Sequence, residues 1–177
     1  MFVAHLPAGY LLSKYFESKS KTKKISWRIF LTLGLIGSIL PDLDLFYFYM
    51  IDGRQHQHHS YWTHIPIYWI CLYTSVASMF ILKKNKKMLL ITTFIFIDVM
   101  LHILLDTVAG GIMWSYPINT EYLSFFTVLP QYNWWVLNFI LHWTFLLEIV
   151  IIIFAFTIFK RSDIKITNDL NALNSDA

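Results

Sequence analysis

Cysteine is almost missing from this chain: Cys71, set in an apolar run, is the only one among 177 residues. A single thiol excludes an intrachain disulfide framework and a cysteine-based zinc site. Charge is scarce too. Only 14% of residues are charged, against 56% hydrophobic and 18% aromatic, and the mean hydropathy is positive. That balance excludes an ordinary soluble domain. Six glycines and five prolines leave no Gly/Pro-rich linker between two soluble units, so one bundle over 1–161 is expected, followed by a polar, loose cytoplasmic tail over 162–177. No internal repeat or low-complexity tract is present. The apolar start, 2–16, lacks a preceding basic region and a following small-residue cleavage site, so it does not read as a signal peptide.

What is there is apolar sequence in long blocks. Four stretches, 25–51, 61–82, 88–114 and 134–159, are long enough for a hydrocarbon core that takes about 20 helical residues. The shorter 2–16 segment would enter partway or tilt against the others. The expected fold is an all-α polytopic membrane bundle of four long spans and a short N-terminal helix.

Basic residues orient it. Lys14, Lys19, Lys21, Lys23, Lys24 and Arg28 precede or open the first long stretch. Lys83, Lys84, Lys86 and Lys87 separate the second from the third, and Lys160, Arg161 and Lys165 follow the fourth. Thirteen of fourteen basic residues thus fall on one face, which the positive-inside rule makes cytoplasmic. Arg54 alone lies on the other. The net charge of +3 therefore reflects topology, and no nucleic-acid partner is expected. Tyr61, Trp62, Trp114, Tyr116, Trp134 and Trp135 fall where stretches meet the outer interface, as an aromatic belt does.

Ionisable residues within such stretches are costly and mark function, or partner one another. Asp42 and Asp44 follow Pro41, which removes a backbone donor and can kink a helix. Two residues apart is about 200° of helical rotation, so both carboxylates reach one site only if the helix breaks or one of them supports another ligand. His59 and His64 are five apart, which suits a loop histidine and a helix-start histidine wrapping a metal. His56 and His58 read as solvated loop residues. His102 and Asp106 share one helical face and can chelate together, with Asp98 one turn deeper as a partner orienting the His102 ring. The bland alternative is a His–Asp pair that only fastens helices. His142 reads as an interhelical hydrogen-bonder, and Glu148 demands a buried partner.

In order, the chain holds His5 before an Ala-Gly, Leu-Pro-Asp-x-Asp over 40–44, His-x-x-x-Thr-His over 59–64 and His-x-x-x-Asp over 102–106. This set resembles the YdjM-like family of LexA-binding, inner-membrane-associated, metal-dependent hydrolases. The resemblance covers 5–106 and implies a metal site drawn from His5, Asp42, Asp44, His59, His64, His102 and Asp106, with Asp42, Asp44, His64 and Asp106 as the catalytic set. It also implies a distant similarity to the helical fold of zinc-dependent phospholipase C and P1-type nuclease. The family often carries Arg-Gly where this chain has Ser60-Tyr61, which puts an anion-binding role there in doubt.

Imidazoles with carboxylates and no thiolate suit Zn²⁺ first, then Mn²⁺ or Fe²⁺. The expected chemistry is metal activation of water against a phosphoester, or another ester, of a lipid or envelope-related substrate at the non-cytoplasmic face of the bacterial inner membrane. Membrane lipid is then both surroundings and potential substrate. The rivals are a metal-ion or proton transporter lined by the same His and Asp residues and a noncatalytic membrane scaffold.

Overall fold

The computed structural model describes residues 3–19 and 25–175, with Trp135 and the residues after Ser162 described by backbone alone. Lys21, Lys23, Lys24 and the side chains of Trp135 and Lys165 lie outside the described residues. The chain is all-helical: α1 (His5–Lys19), α2 (Trp27–Gly37), α3 (Asp44–Met50), α4 (Pro66–Leu82), α5 (Lys86–Asp106), α6 (Trp135–Ile140) and α7 (Phe145–Ser175), with 3₁₀ turns at Pro41–Leu43, His58–Ser60 and Trp62–His64. Among the described residues the one β pairing is an isolated bridge between Ile112 and Leu123.

The apolar stretches do not become four uninterrupted helices. Among the described residues only Lys86–Asp106 is by itself long and apolar enough to cross a membrane, and 28% of its most apolar part is buried, so it is not wrapped as the core helix of a soluble protein would be. The first stretch is α2 followed by Pro41–Met50, bent by 49°. Pro41 cannot donate, and its ring would crowd the carbonyl four residues back, so helix stops at Gly37 and resumes after one 3₁₀ turn. The second stretch starts late, at Pro66, which sits in the first turn of α4 where no donor is required. The fourth is interrupted after Ile140. There the His142 ring nitrogen Nδ1 pairs with the Thr144 hydroxyl (2.8 Å), a local bond that competes with the helical ladder. α7 then continues as helix to Ser175, through the segment expected to be a loose tail.

Two apolar clusters hold the bundle. Phe30 and Phe94 stack edge-on at 5.2 Å, with Phe16 of α1 against Phe94 at 5.0 Å, so this cluster joins α1, α2 and α5. Trp69, Val99, Ile103 and Ile112 join α4, α5 and the segment after it. The α1–α2 crossing is close because Gly9 and Gly34 face each other. A Cβ on either would strike the other's carbonyl. Buried Ser13 lies within hydrogen-bond distance of the carbonyls of Gly9 (2.8 Å) and Phe30 (2.9 Å) beside this contact.

The helix directions sort the polar residues. α1 begins at His5 and ends at Lys19, α4 begins beyond His64 and ends before Lys83, and α5 begins at Lys86 and ends at Asp106. The histidines and aspartates therefore gather at one end and the lysines at the other, about 30 Å apart along α5. On the outside, α4 and α7 expose Leu72, Ile81, Val150, Ile153 and Phe154, an apolar surface that suits lipid.

A Gly34→Val substitution forces α1 and α2 apart, and we expect it to lower stability in detergent by about 1–3 kcal/mol. Thermal unfolding followed by circular dichroism measures this. An unchanged midpoint would mean that the glycine contact does not set the crossing.

Candidate metal centre

Each break in the helices delivers a ligand. The 3₁₀ turn Pro41–Leu43 carries Asp42, and the first residue of α3 is Asp44. The turns His58–Ser60 and Trp62–His64 carry three histidines between them. Trp69 anchors this segment by donating its indole N–H to the Thr63 carbonyl (2.7 Å). His102 and Asp106 come from the last two turns of α5, and His5 opens α1. Thus all seven residues named from sequence lie in one cluster.

Four atoms converge at its centre. His102 Nε2 lies 3.0 Å from Asp106 Oδ2 and 3.6 Å from Asp42 Oδ1. His64 Nε2 lies 3.5 Å from Asp42 Oδ1 and 3.6 Å from Asp106 Oδ2. Tetrahedral zinc with bonds of about 2.0–2.2 Å separates its ligand atoms by about 3.3–3.6 Å. The four His–Asp separations already stand near that spacing, and the four donors all lie within 4.8 Å of one another.

The hydrogen bonds on the far side of each ring fix which nitrogen is available. His102 Nδ1 is 2.6 Å from the Ser38 carbonyl and His64 Nδ1 is 2.9 Å from Asp44 Oδ2. Carbonyl and carboxylate oxygens only accept, so in both neutral rings Nδ1 carries the proton and Nε2 presents a lone pair to the centre. Among the described residues both Nε2 atoms are buried without a hydrogen-bond partner. A buried acceptor left in that state is unfavourable unless something binds it. A divalent cation satisfies both nitrogens, and the residues present fit it.

The two aspartates of 40–44 divide their roles. Asp42 faces the centre, while Asp44 accepts from the Thr63 hydroxyl and is paired with His64 and, at 2.7 Å, with His58 Nε2. Both routes anticipated for a two-residue spacing, a broken helix and a supporting carboxylate, are used at once. His5 likewise supports a ligand: its Nε2 is 3.1 Å from Asp106 Oδ1, and its ring stacks on His102 at 3.8 Å.

His58 was missed by sequence reasoning, which read it as solvated. Its signal was the clustering of three histidines after a Pro-broken helix, but only the fold shows that it turns inward to Asp44. With His59 and His64 it forms a second convergent trio of potential ligands. Burial pulls the pKa of His58 down, and that of His59 down to about 3. Both are neutral near pH 7 and able to offer lone pairs. His56 does stay at the surface, paired with Asp52 at 2.6 Å.

Two other expectations change, and a third, that Glu148 has a buried partner, is met. Asp98 does not orient His102, because the Ser38 carbonyl occupies Nδ1; its carboxylate instead packs against Gly37. His142 bonds locally to Thr144 rather than across helices. Glu148 has its partner at the start of α1, where the backbone N–H groups of Val3 (2.5 Å) and Ala4 (3.1 Å) donate to Oε2. This contact pins α1 beside α7, and so holds His5 against Asp106.

A family model described as YdjM inner membrane protein matches residues 1–166. The chain belongs to the YdjM family. The match extends past Asp106 to include His142 and Glu148, so the family covers the whole bundle and not only the motifs over 5–106. No curated protein and no solved structure matches the chain. The convergent His and Asp residues of this YdjM member border a cavity of about 370 Å³, with Asp42, Asp106, His58 and His59 in its lining.

Detergent-purified protein should bind divalent metal, with His64→Ala and Asp106→Ala each reducing its content severely and Asp44→Ala weakening affinity about 10–100-fold. Elemental analysis after dialysis against graded chelator reads this. Undiminished metal in both ligand variants would overturn the assignment. The histidine shifts predict a pH effect as well. A histidine whose pKa is lower folded than unfolded contributes stability that is complete above about 6.5 and lost as pH falls toward about 3. The unfolding midpoint of metal-free protein should therefore drop through that window, and less steeply in His59→Gln. Equal slopes would refute the buried neutral state of His59.

Proposed function

We propose that the protein is a membrane-bound metal-dependent hydrolase acting on an ester, with its site at the non-cytoplasmic end of the bundle. The observation that carries this reading is the pair of buried imidazole lone pairs, gathered with two carboxylate oxygens within 4.8 Å of one another beside a cavity. His64, His102, Asp42 and Asp106 would hold the ion, with Zn²⁺ favoured by the donor set and Mn²⁺ or Fe²⁺ also suited. A bound divalent ion supplies Lewis acidity, which lowers the pKa of water and polarises an ester oxygen.

The chain's own residues do the rest. Asp44 and the Ser38 carbonyl hold the two ligating rings in one tautomer. His5 fixes one oxygen of Asp106 so that the other faces the centre. In the overall reaction a water oxygen bonds to phosphorus or to the acyl carbon, the ester bond to oxygen breaks, and the alcohol leaves with a proton. His58 and His59, neutral at the cavity wall, are placed to relay that proton.

The finer topology belongs to the same proposal. α2 with α3, α4, α5 and α7 form four crossings, two of them shorter or bent, with the lysine end cytoplasmic by the positive-inside rule. The all-helical arrangement around a His/Asp centre is what a distant kinship with zinc-dependent phospholipase C and P1-type nuclease implies. Membrane lipid surrounds the protein, and no nucleic acid is part of its function.

One observation favours a second reading. Asp98 is buried a turn deeper in α5, and neither of its carboxylate oxygens has a hydrogen-bond partner among the described residues. A cation or proton pathway would use such a group. Metal-loaded protein should hydrolyse members of a panel of phosphoesters and carboxylic esters, and His64→Ala should lower kcat/KM at least about 100-fold. Bound metal without turnover, together with Asp98-dependent ion flux into liposomes, would replace the hydrolase with a transporter. Metal removal that changes neither activity nor stability would favour a scaffold.

A further inference from the structure

Arg54 is the one Lys or Arg between 29 and 82, and none occurs from 88 to 159. It lines the same cavity as Asp42 and Asp106. Its backbone is in the left-handed region, φ 64°, directly after Gly53 at φ 58°. An arginine gains nothing from that conformation, whereas glycine or asparagine adopts it readily. The turn is nevertheless held there, with the Arg54 N–H donating to the Phe48 carbonyl (3.0 Å). The nearest acid in sequence, Asp52, is taken by the His56 ring and by the backbone N–H groups of Gln55 and His56. Among the described residues Arg54 forms no ion pair. An arginine in the lining of a cavity that also holds Asp42 and Asp106, and left without a carboxylate of its own, is equipped for an anion, most directly a phosphoryl group gripped by two N–H donors.

The rest of the cavity wall is of a different character. Leu45, Phe48 and Tyr49 from α3, with Phe139 from α6, supply apolar surface. α3 also exposes Phe46 and Met50, followed by Ile51, on its outward side. A hydrocarbon chain can lie along this wall and continue onto the outward apolar surface of α3, where water would otherwise be in contact with it. A soluble phosphoester needs the cation but not the wall.

We propose that the cavity receives a phosphoester bearing a hydrocarbon chain, a lipid phosphate, with Arg54 clamping the phosphoryl oxygens and Leu45, Phe48, Tyr49 and Phe139 taking the chain. The proposal rests on the hydrolase reading for the bond that is cleaved, but not for binding. Arg54 is then the residue that selects a phosphoester over a neutral ester.

The test is binding of non-hydrolysable phosphonates to full-length, metal-loaded protein in neutral-lipid nanodiscs, with hydrolysis measured separately. Dodecylphosphonate should bind at least about tenfold tighter than methylphosphonate. Arg54→Asn, which suits the left-handed backbone, should weaken both at least about tenfold with metal content unchanged. Phe48→Ser should weaken dodecylphosphonate alone. Equal affinity of the two phosphonates would overturn the lipid assignment in favour of a soluble phosphate, and wild-type affinity in Arg54→Asn would overturn the clamp. Arg54- and chain-dependent binding without cleavage of any phosphoester would support the pocket while removing the hydrolase. Cleavage with no dependence on chain or Arg54 would do the reverse.

Discussion

Asp44 is the carboxylate on which the rest of the centre depends. Burial in an apolar bundle obliges it to collect donors, and it takes them from the Thr63 hydroxyl and from the rings of His58 and His64. These bonds tie α3 to the two 3₁₀ turns ahead of α4. They also choose the tautomer of His64 and aim its Nε2 at the centre. The Ser38 carbonyl does the same for His102. It is free to do so because α2 has ended, leaving its last carbonyls outside the helical ladder. Helix termination and ligand orientation are therefore one event at this point in the chain.

The breaks have a physical logic in a membrane-type composition. An unbroken helix satisfies its own backbone and points successive side chains in different directions, so residues two or five apart cannot meet. Stopping at Gly37, at the turn Pro41–Leu43 and again before Pro66 folds the polar residues into one cluster. Turn hydrogen bonds take up part of the freed backbone, with the Leu40 N–H donating to the Gly37 carbonyl and the Leu43 N–H to that of Leu40. Gly37 serves this locally, since any side chain there would collide with Asp98. Gly9 and Gly34 serve it globally, by letting α1 come near enough for His5 to reach Asp106.

The cavity joins two kinds of surface that rarely meet. Its lining combines carboxylates and imidazoles with aromatic and aliphatic groups from α3 and α6. Polar groups confined to one end of a bundle suit chemistry at an interface better than passage across it, although Asp98 lies deeper than the rest. Membership of the YdjM inner membrane protein family agrees with an apolar exterior and a cation-rich end opposite the centre.

The sequence by itself determined the helical class, the sorting of lysines to one end and of His and Asp to the other, and the family. These follow from hydropathy, charge spacing and ordered motifs, all of which are local along the chain. It also carried the alternatives for Asp42 and Asp44, because helical rotation alone forbids both from facing one point. Only the tertiary structure decided that Asp44 supports while Asp42 faces inward, that His58 turns in whereas His56 stays out, and that Glu148 caps α1. It likewise broke the expected spans, through Pro41, Pro66 and the His142–Thr144 bond. Those outcomes depend on which donor meets which acceptor across tens of residues of chain, and no period or spacing in the sequence encodes such a meeting.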